Sequence, residues 1–170
     1  VILMGYYNPI YRYGAERFCK DAHDAGVDGV IIVDLPPEED EELRPLLTKN
    51  GLSFIRLIAP TSNATRLPLL CKSASGFVYY ISVTGITGAK SADNSELSKQ
   101  IENLRSYTKL PIAVGFGIKT AQQVKEVASY GDAVVVGSAL VDTITKQSGK
   151  DAVVKAASNF VSELAKGLTR

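Results

Sequence analysis

With 170 residues, 45% of them hydrophobic and 22% charged, the chain is long enough to bury a core and has the composition of a soluble globular domain. Nineteen basic side chains against eighteen acidic ones leave a formal charge of +1 with no basic block, which argues against nucleic acid as a partner. The longest apolar runs, at 29–33 and 133–136, fall far short of the roughly 20 residues that a membrane span needs, so no bilayer crossing is expected.

Short β-branched apolar runs bounded by Gly, Pro or Asp alternate with longer segments of helical period, which is the pattern of βα repeats around a parallel sheet. The first strand is expected at 1–5. It carries neither the basic region nor the cleavage site of a signal peptide and reads as a strand entered part-way through a longer protein. A helix at 15–25 follows, stopped by Gly26. The second strand, 29–33, leads through Asp34-Leu35-Pro36-Pro37 into a helix at 38–49 that ends at Asn50-Gly51. Prolines ahead of the acidic run 38–42 suit the positive end of a helix dipole, and the run reads as a solvated helix start. A third strand at 53–58, a helix at 65–73 and a fourth strand at 77–81 come next. The stretch 82–94 is rich in Ser, Thr and Gly without apolar period and is expected to be a mobile loop. The remaining elements are a helix at 95–108, a strand at 112–114, a helix at 121–129 stopped by Gly131, a strand at 133–136, a short helix at 139–145 and a last helix at 152–166. The strands are too uniformly apolar for a sheet wet on one face. With short linkers throughout, a single domain over 1–170 is expected. Cys19 and Cys71 are isolated, lack metal spacing and lie in helical apolar patterns, so they read as reduced thiols, core or half-buried, of a cytoplasmic protein rather than as a disulfide.

The sharpest chemical signal is a pair of glycine-bearing strand ends, Gly115-Phe116-Gly117-Ile118 and Gly137-Ser138-Ala139, each ahead of a helix. In (β/α)8 barrels the last two βα loops and a short extra helix commonly cradle a phosphate on backbone N–H groups. Glycine there lets the backbone approach the anion, although a glycine can equally do no more than turn a strand into a helix. Thr84-Gly85-Ile86-Thr87-Gly88 offers a second glycine-bearing loop able to open and close. Tyr6 and Tyr79, at or near strand ends, either stack on a flat apolar substrate or fill the core. Asp34, directly after the second strand, is a candidate general acid or base, or it organises its loop by accepting backbone hydrogen bonds. His23, the single histidine, falls within a helix away from the strand ends, and no metal site is expected. Asp142 reads as solvated. Gly-x-Ser-x-Gly, Walker and dinucleotide fingerprints are absent from the sequence.

Taken in order, Asn8-Pro9, Asp34-Leu35-Pro36, Thr84-Gly85-Ile86-Thr87-Gly88, Gly115-Phe116-Gly117-Ile118 and Gly137-Ser138-Ala139 resemble the tryptophan synthase alpha subunit family over the whole chain. The resemblance implies an incomplete (β/α)8 TIM barrel of about six parallel β/α units, running from that family's third strand to its last helix. It implies a lyase that splits indole-3-glycerol phosphate into indole and glyceraldehyde 3-phosphate with no cofactor of its own. Gly88, Gly117, Gly137 and Ser138 are then expected to hold the phosphate, and Tyr6, Tyr79, Phe116 and Val135 to line the indole pocket. Thr87 is expected to orient a catalytic aspartate, while Asn8 and Pro36 face a beta subunit in an α2β2 assembly. The family's catalytic glutamate and aspartate have no counterpart here and are expected upstream of Val1, so the chain alone is expected to be inactive. A sheet lacking two strands would also leave exposed edges at 1–5 and 133–136. Two other readings remain open. One is another phosphate-binding barrel, such as indoleglycerol phosphate synthase, phosphoribosylanthranilate isomerase or a ribulose phosphate epimerase; the other is a non-catalytic phosphate-binding scaffold.

Overall fold

Strands that read as continuous Val and Ile runs need cover on both faces, and parallel pairing with helical crossovers supplies it. The computed structural model describes residues 1–81, 92–115 and 117–168, with backbone alone at 92–95. Among these, six strands pair in chain order: β1 (Ile2–Gly5), β2 (Gly29–Ile32), β3 (Ser53–Ile58), β4 (Val78–Ile81), β5 (Ile112–Gly115) and β6 (Ala133–Val135). Every expected strand is present with its ends within one residue. β1 runs parallel to β2 from Ile2↔Gly29 to Gly5↔Ile32, and β5 parallel to β6 from Ala113↔Ala133 to Gly115↔Val135. The helices are α1 (Tyr7–Tyr13), α2 (Ala15–Asp24), α3 (Arg44–Lys49), α4 (Arg66–Lys72), α5 (Ala92–Arg105), α6 (Ala121–Val127), α7 (Ser138–Thr145) and α8 (Lys150–Ala165).

The chain divides into two compact units, Val1–Tyr79 with Tyr107–Pro111, and Tyr80–Ser106 with Ile112–Arg170. In the first, Cys19, Val30, Ile32, Leu43, Leu47 and Phe54 form one buried cluster joining β2 and β3 to α2 and α3. α2 reaches it with Ala15, Cys19 and Ala22, a spacing that places all three on one helical face. Cys19 and Cys71 are buried and free, and burial pushes the Cys19 thiol up to about 11. In the second unit the buried side chains include Leu104, Ile112, Val114, Val124 and Val127. α6 opens with a capping box in which Thr120 and Gln123 satisfy each other's backbone N–H groups.

Several expectations are corrected. α1 lies in a stretch to which the sequence reading assigns no helix; Pro9 is tolerated in a first helical turn, where its missing N–H has no acceptor to lose. The helix expected at 38–49 is a 3₁₀ turn, Pro37–Glu39, followed by the separate α3. Pro45 sits at the start of α3, the one part of a helix that accepts it, so a continuous helix across it is disfavoured. α5 begins at Ala92 and ends at Arg105 rather than spanning 95–108. Gly26 and Gly51 take left-handed conformations as expected, whereas Gly131 does not. A Cβ on Gly131 would stand 2.9 Å from Val114 Cγ2, so that glycine permits close packing instead. The end strands also break the rule of uniform burial. In β1, Leu3 and Met4 are exposed, as is Ala133 in β6, each strand having a partner along one edge.

Candidate functional site

The β5 to β6 register aligns the two glycine turns. Gly115 pairs with Val135, and Gly117 and Gly137 each lie two residues further on, so both turns leave the same end of adjacent strands. At the ~4.8 Å spacing of paired strands, their backbones are near neighbours. Gly117 is left-handed, with φ +58°, a conformation that glycine adopts without cost. A Cβ on either Gly117 or Gly137 would meet nothing within 4 Å. Among the described residues beyond the flanking ones, nothing fills the space that a side chain at either glycine would take. Gly137 is the N-cap of α7, no side chain caps that helix, and its first turn carries no acid. The N–H groups of a first helical turn lack intrahelical acceptors and lie at the positive end of the dipole, so this start is suited to an anion. Ser138, the first residue of α7, is exposed, and Val135, the last residue of β6, is half-buried. These four expected site residues are thus brought together. Thr87, Gly88 and Phe116 lie outside the described residues.

The first unit holds the others. Tyr6, 63% exposed, is the N-cap residue of α1, and its side chain makes no cap. The cap comes from the next strand's loop, where Asp34 Oδ1 accepts the Tyr7 N–H at 2.7 Å. Of the two roles open to Asp34, organising the backbone is the one its geometry occupies. Asn8 is exposed on α1 and Pro36 half-buried after β2, both attached to this junction. Tyr79 is half-buried on β4, and burial raises its phenol above the usual value. His23 and Asp142 are exposed.

The residue that sequence reasoning missed is Arg56. It lies in the otherwise apolar run of β3, 3% exposed, and its Nη2 binds the carboxylate of Asp40, which is 0% exposed. The acidic run 38–42 is therefore not simply a solvated helix start. Asp40 is its buried member because Arg56 and Arg44, the latter at 2.9 Å, both reach it. Arg56 also donates from Nη1 to the Leu35 carbonyl at 2.9 Å and from Nε to Ser73 Oγ at 2.9 Å. Its guanidinium stacks 3.8 Å above the Phe54 ring. Burial lowers the guanidinium to about 10, which leaves it charged at neutral pH. A lone Arg inside an apolar strand was the signal available, since a buried charge demands a partner. Among the described residues, no group of three or more His, Cys, Asp or Glu could hold a metal, and no helix is long and apolar enough to cross a membrane.

Strand order, parallel pairing and glycine-lined strand ends together define a parallel β/α protein of the TIM-barrel class. The chain belongs to the tryptophan synthase alpha chain family, whose sequence model matches residues 1–169. The tryptophan synthase alpha subunit of Legionella pneumophila strain Paris is 39% identical, with TM-score 0.87, over 99% of this chain and 62% of that one. A chain of the tryptophan synthase α2β2 complex of the hyperthermophile Pyrococcus furiosus is 35% identical, with TM-score 0.85, over 96% of this chain and 65% of that one. A chain of Mycobacterium tuberculosis tryptophan synthase in its aminoacrylate-bound form is 30% identical, with TM-score 0.85, over 99% and 61%. The present chain thus spans a little over three fifths of the length of these relatives.

Proposed function

We propose that this chain is the phosphate- and indole-binding part of a carbon–carbon lyase. As the whole protein, that enzyme cleaves indole-3-glycerol phosphate to indole and glyceraldehyde 3-phosphate in tryptophan biosynthesis, in the cytoplasm and without a cofactor of its own. The reading is supported above all by the aligned turns after β5 and β6, open above Gly117 and Gly137 and backed by the uncapped start of α7. In it, Gly88, Gly117, Gly137 and Ser138 hold the phosphate through main-chain groups. Tyr6, Tyr79, Phe116 and Val135 contact the indole, and Thr87 orients the catalytic aspartate. Asn8 and Pro36 face a beta chain, which takes up the indole and carries its own pyridoxal phosphate. The 170 residues act as one barrel-type domain.

A carboxylic acid first protonates indole C3, which makes the ring an electron-pair acceptor, so that the bond from C3 to the glycerol phosphate carbon breaks with its electron pair returning to the ring. A second carboxylate accepts the indole N–H as positive charge develops on the ring, and the adjacent hydroxyl loses its proton to become the aldehyde. Neither carboxylate role is assigned to a residue of this chain, since Asp34 is engaged at the start of α1. The chain's own contribution is to bind and orient the substrate by its phosphate.

Calorimetric titration of the full chain with inorganic phosphate and with indole-3-glycerol phosphate tests this. Wild type binds both, and Gly137→Leu, which fills the open space, weakens both by at least about tenfold. Undiminished affinity in that variant, or none in wild type, rejects the assignment.

A further inference from the structure

Arg56 makes a costly arrangement whose purpose the lyase reading does not require. Replacing a buried ion pair by apolar residues of equal volume is often neutral or stabilising, so net stability is a weak reason for this pair to exist. What an apolar pair would lack is the grip on a carbonyl. The three arms of the guanidinium reach three separate segments: Leu35 in the loop after β2, Asp40 ahead of α3, and Ser73 after α4. The guanidinium carbon also lies over the Phe54 ring, 3.8 Å from its centroid. Beside this node lies a cavity of about 300 Å³ whose wall includes Asp34, Leu35, Pro36 and Arg56. On the cavity side the loop lacks packed neighbours; on the other, the Leu35 side chain is buried in the core cluster, so the loop's position depends on that anchor together with its polar tethers. One tether is Arg56 to Leu35; another is Asp34 to the Tyr7 N–H, which joins the same loop to α1 and so to Asn8.

We propose that Arg56 is a positioning residue for the partner-facing surface, setting Pro36 through the Leu35 carbonyl and Asn8 through the Asp34 cap. This rests on the reading that Asn8 and Pro36 face a beta chain. A lysine in place of Arg56 would keep the charge but could not reach three segments from one planar group.

The test uses the full chain and the cognate tryptophan synthase beta chain, with affinity measured by calorimetry and chain stability by urea unfolding. The double variant Arg56→Met with Asp40→Leu replaces the pair by apolar side chains. It is expected to unfold at or above the wild-type urea midpoint and to bind inorganic phosphate as wild type does, yet to bind the beta chain about tenfold more weakly, as for the loss of a hydrogen bond from a charged donor. Wild-type affinity for the beta chain in this variant overturns the proposal while leaving the lyase reading intact. Failure of the wild-type chain to bind the beta chain removes the partner-facing reading and this assignment with it. Should the double variant not fold, Arg56→Lys carries the comparison. Weakened beta-chain binding with unchanged phosphate affinity supports the role, and unchanged binding overturns it.

Discussion

The loop after β2 and the turns after β5 and β6 lie at the same ends of their strands and are built by opposite means. The first is held by side chains: Arg56 grips the Leu35 carbonyl, Asp40 is buried between two arginines, and Asp34 reaches across to cap α1. The others carry glycines at 117 and 137, where a Cβ would meet nothing within 4 Å among the described residues beyond the flanking ones. A loop locked by side chains presents a surface set by those side chains, whereas a turn built on glycine leaves its backbone N–H groups accessible. Strand ends of one fold can thus be specialised without any change in the strands.

The strongest way to break this contrast is a pair of alanine variants. Asp40→Ala leaves the Arg56 charge buried without its counter-ion and is expected to cost about 3–5 kcal/mol. Gly137→Ala adds a methyl group to empty space and is expected to change stability by less than about 0.5 kcal/mol. Urea unfolding of both reads the difference, and equal effects would erase the distinction.

A smaller effect concerns the core behind the side-chain-held loop. The Cys19 thiol, raised by burial from 9.0 to about 11, stays neutral in the folded chain while the unfolded chain ionises. Stability is unaffected by this group below pH 9 and falls as pH rises from about 9 to about 11, by about 2 to 3 kcal/mol at 1.36 kcal/mol per unit. Urea midpoints across that range should lose this slope in Cys19→Ala. A slope that persists there would mean that the thiol is not its source.

The finest comparison sets two caps side by side. Thr120 caps α6 from its own chain position, while Asp34 caps α1 from 27 residues away. Alanine at either site is expected to cost about 1 kcal/mol. Hydrogen exchange should respond in Thr120→Ala at the first turn of α6 alone, and in Asp34→Ala at both α1 and the loop after β2. Exchange confined to α1 in the latter would show the loop to be independent of the cap.

Much of this architecture was legible before any coordinates. Strand ends were placed within a residue because a run such as 29–33 differs in composition from everything around it. The glycine turns stood out because their strands end in bare backbone. What went wrong did so for identifiable reasons. α1 is only seven residues long and carries a proline in its first turn, so its sequence lacks the apolar period of a longer helix. Pro45 can stand only at the start of a helix, and it separates α3 from the 3₁₀ turn before it, although the acidic run and the residues after it have a helix-forming composition. Asp40 was counted with its solvated neighbours because nothing adjacent in sequence distinguishes it from Glu39 or Glu41.

By itself, then, the amino-acid order determined the succession of strands and helices, the family, and the glycines that shape the last two turns. Each of these follows from interactions among residues a few positions apart. The buried ion pair of Arg56 with Asp40 spans 16 residues, and the Asp34 cap on Tyr7 spans 27. Such partners meet when parallel register lays β2 between β1 and β3. Tertiary structure alone decided which charges were buried, because a charge is matched by whatever the fold brings beside it rather than by what precedes it in the chain.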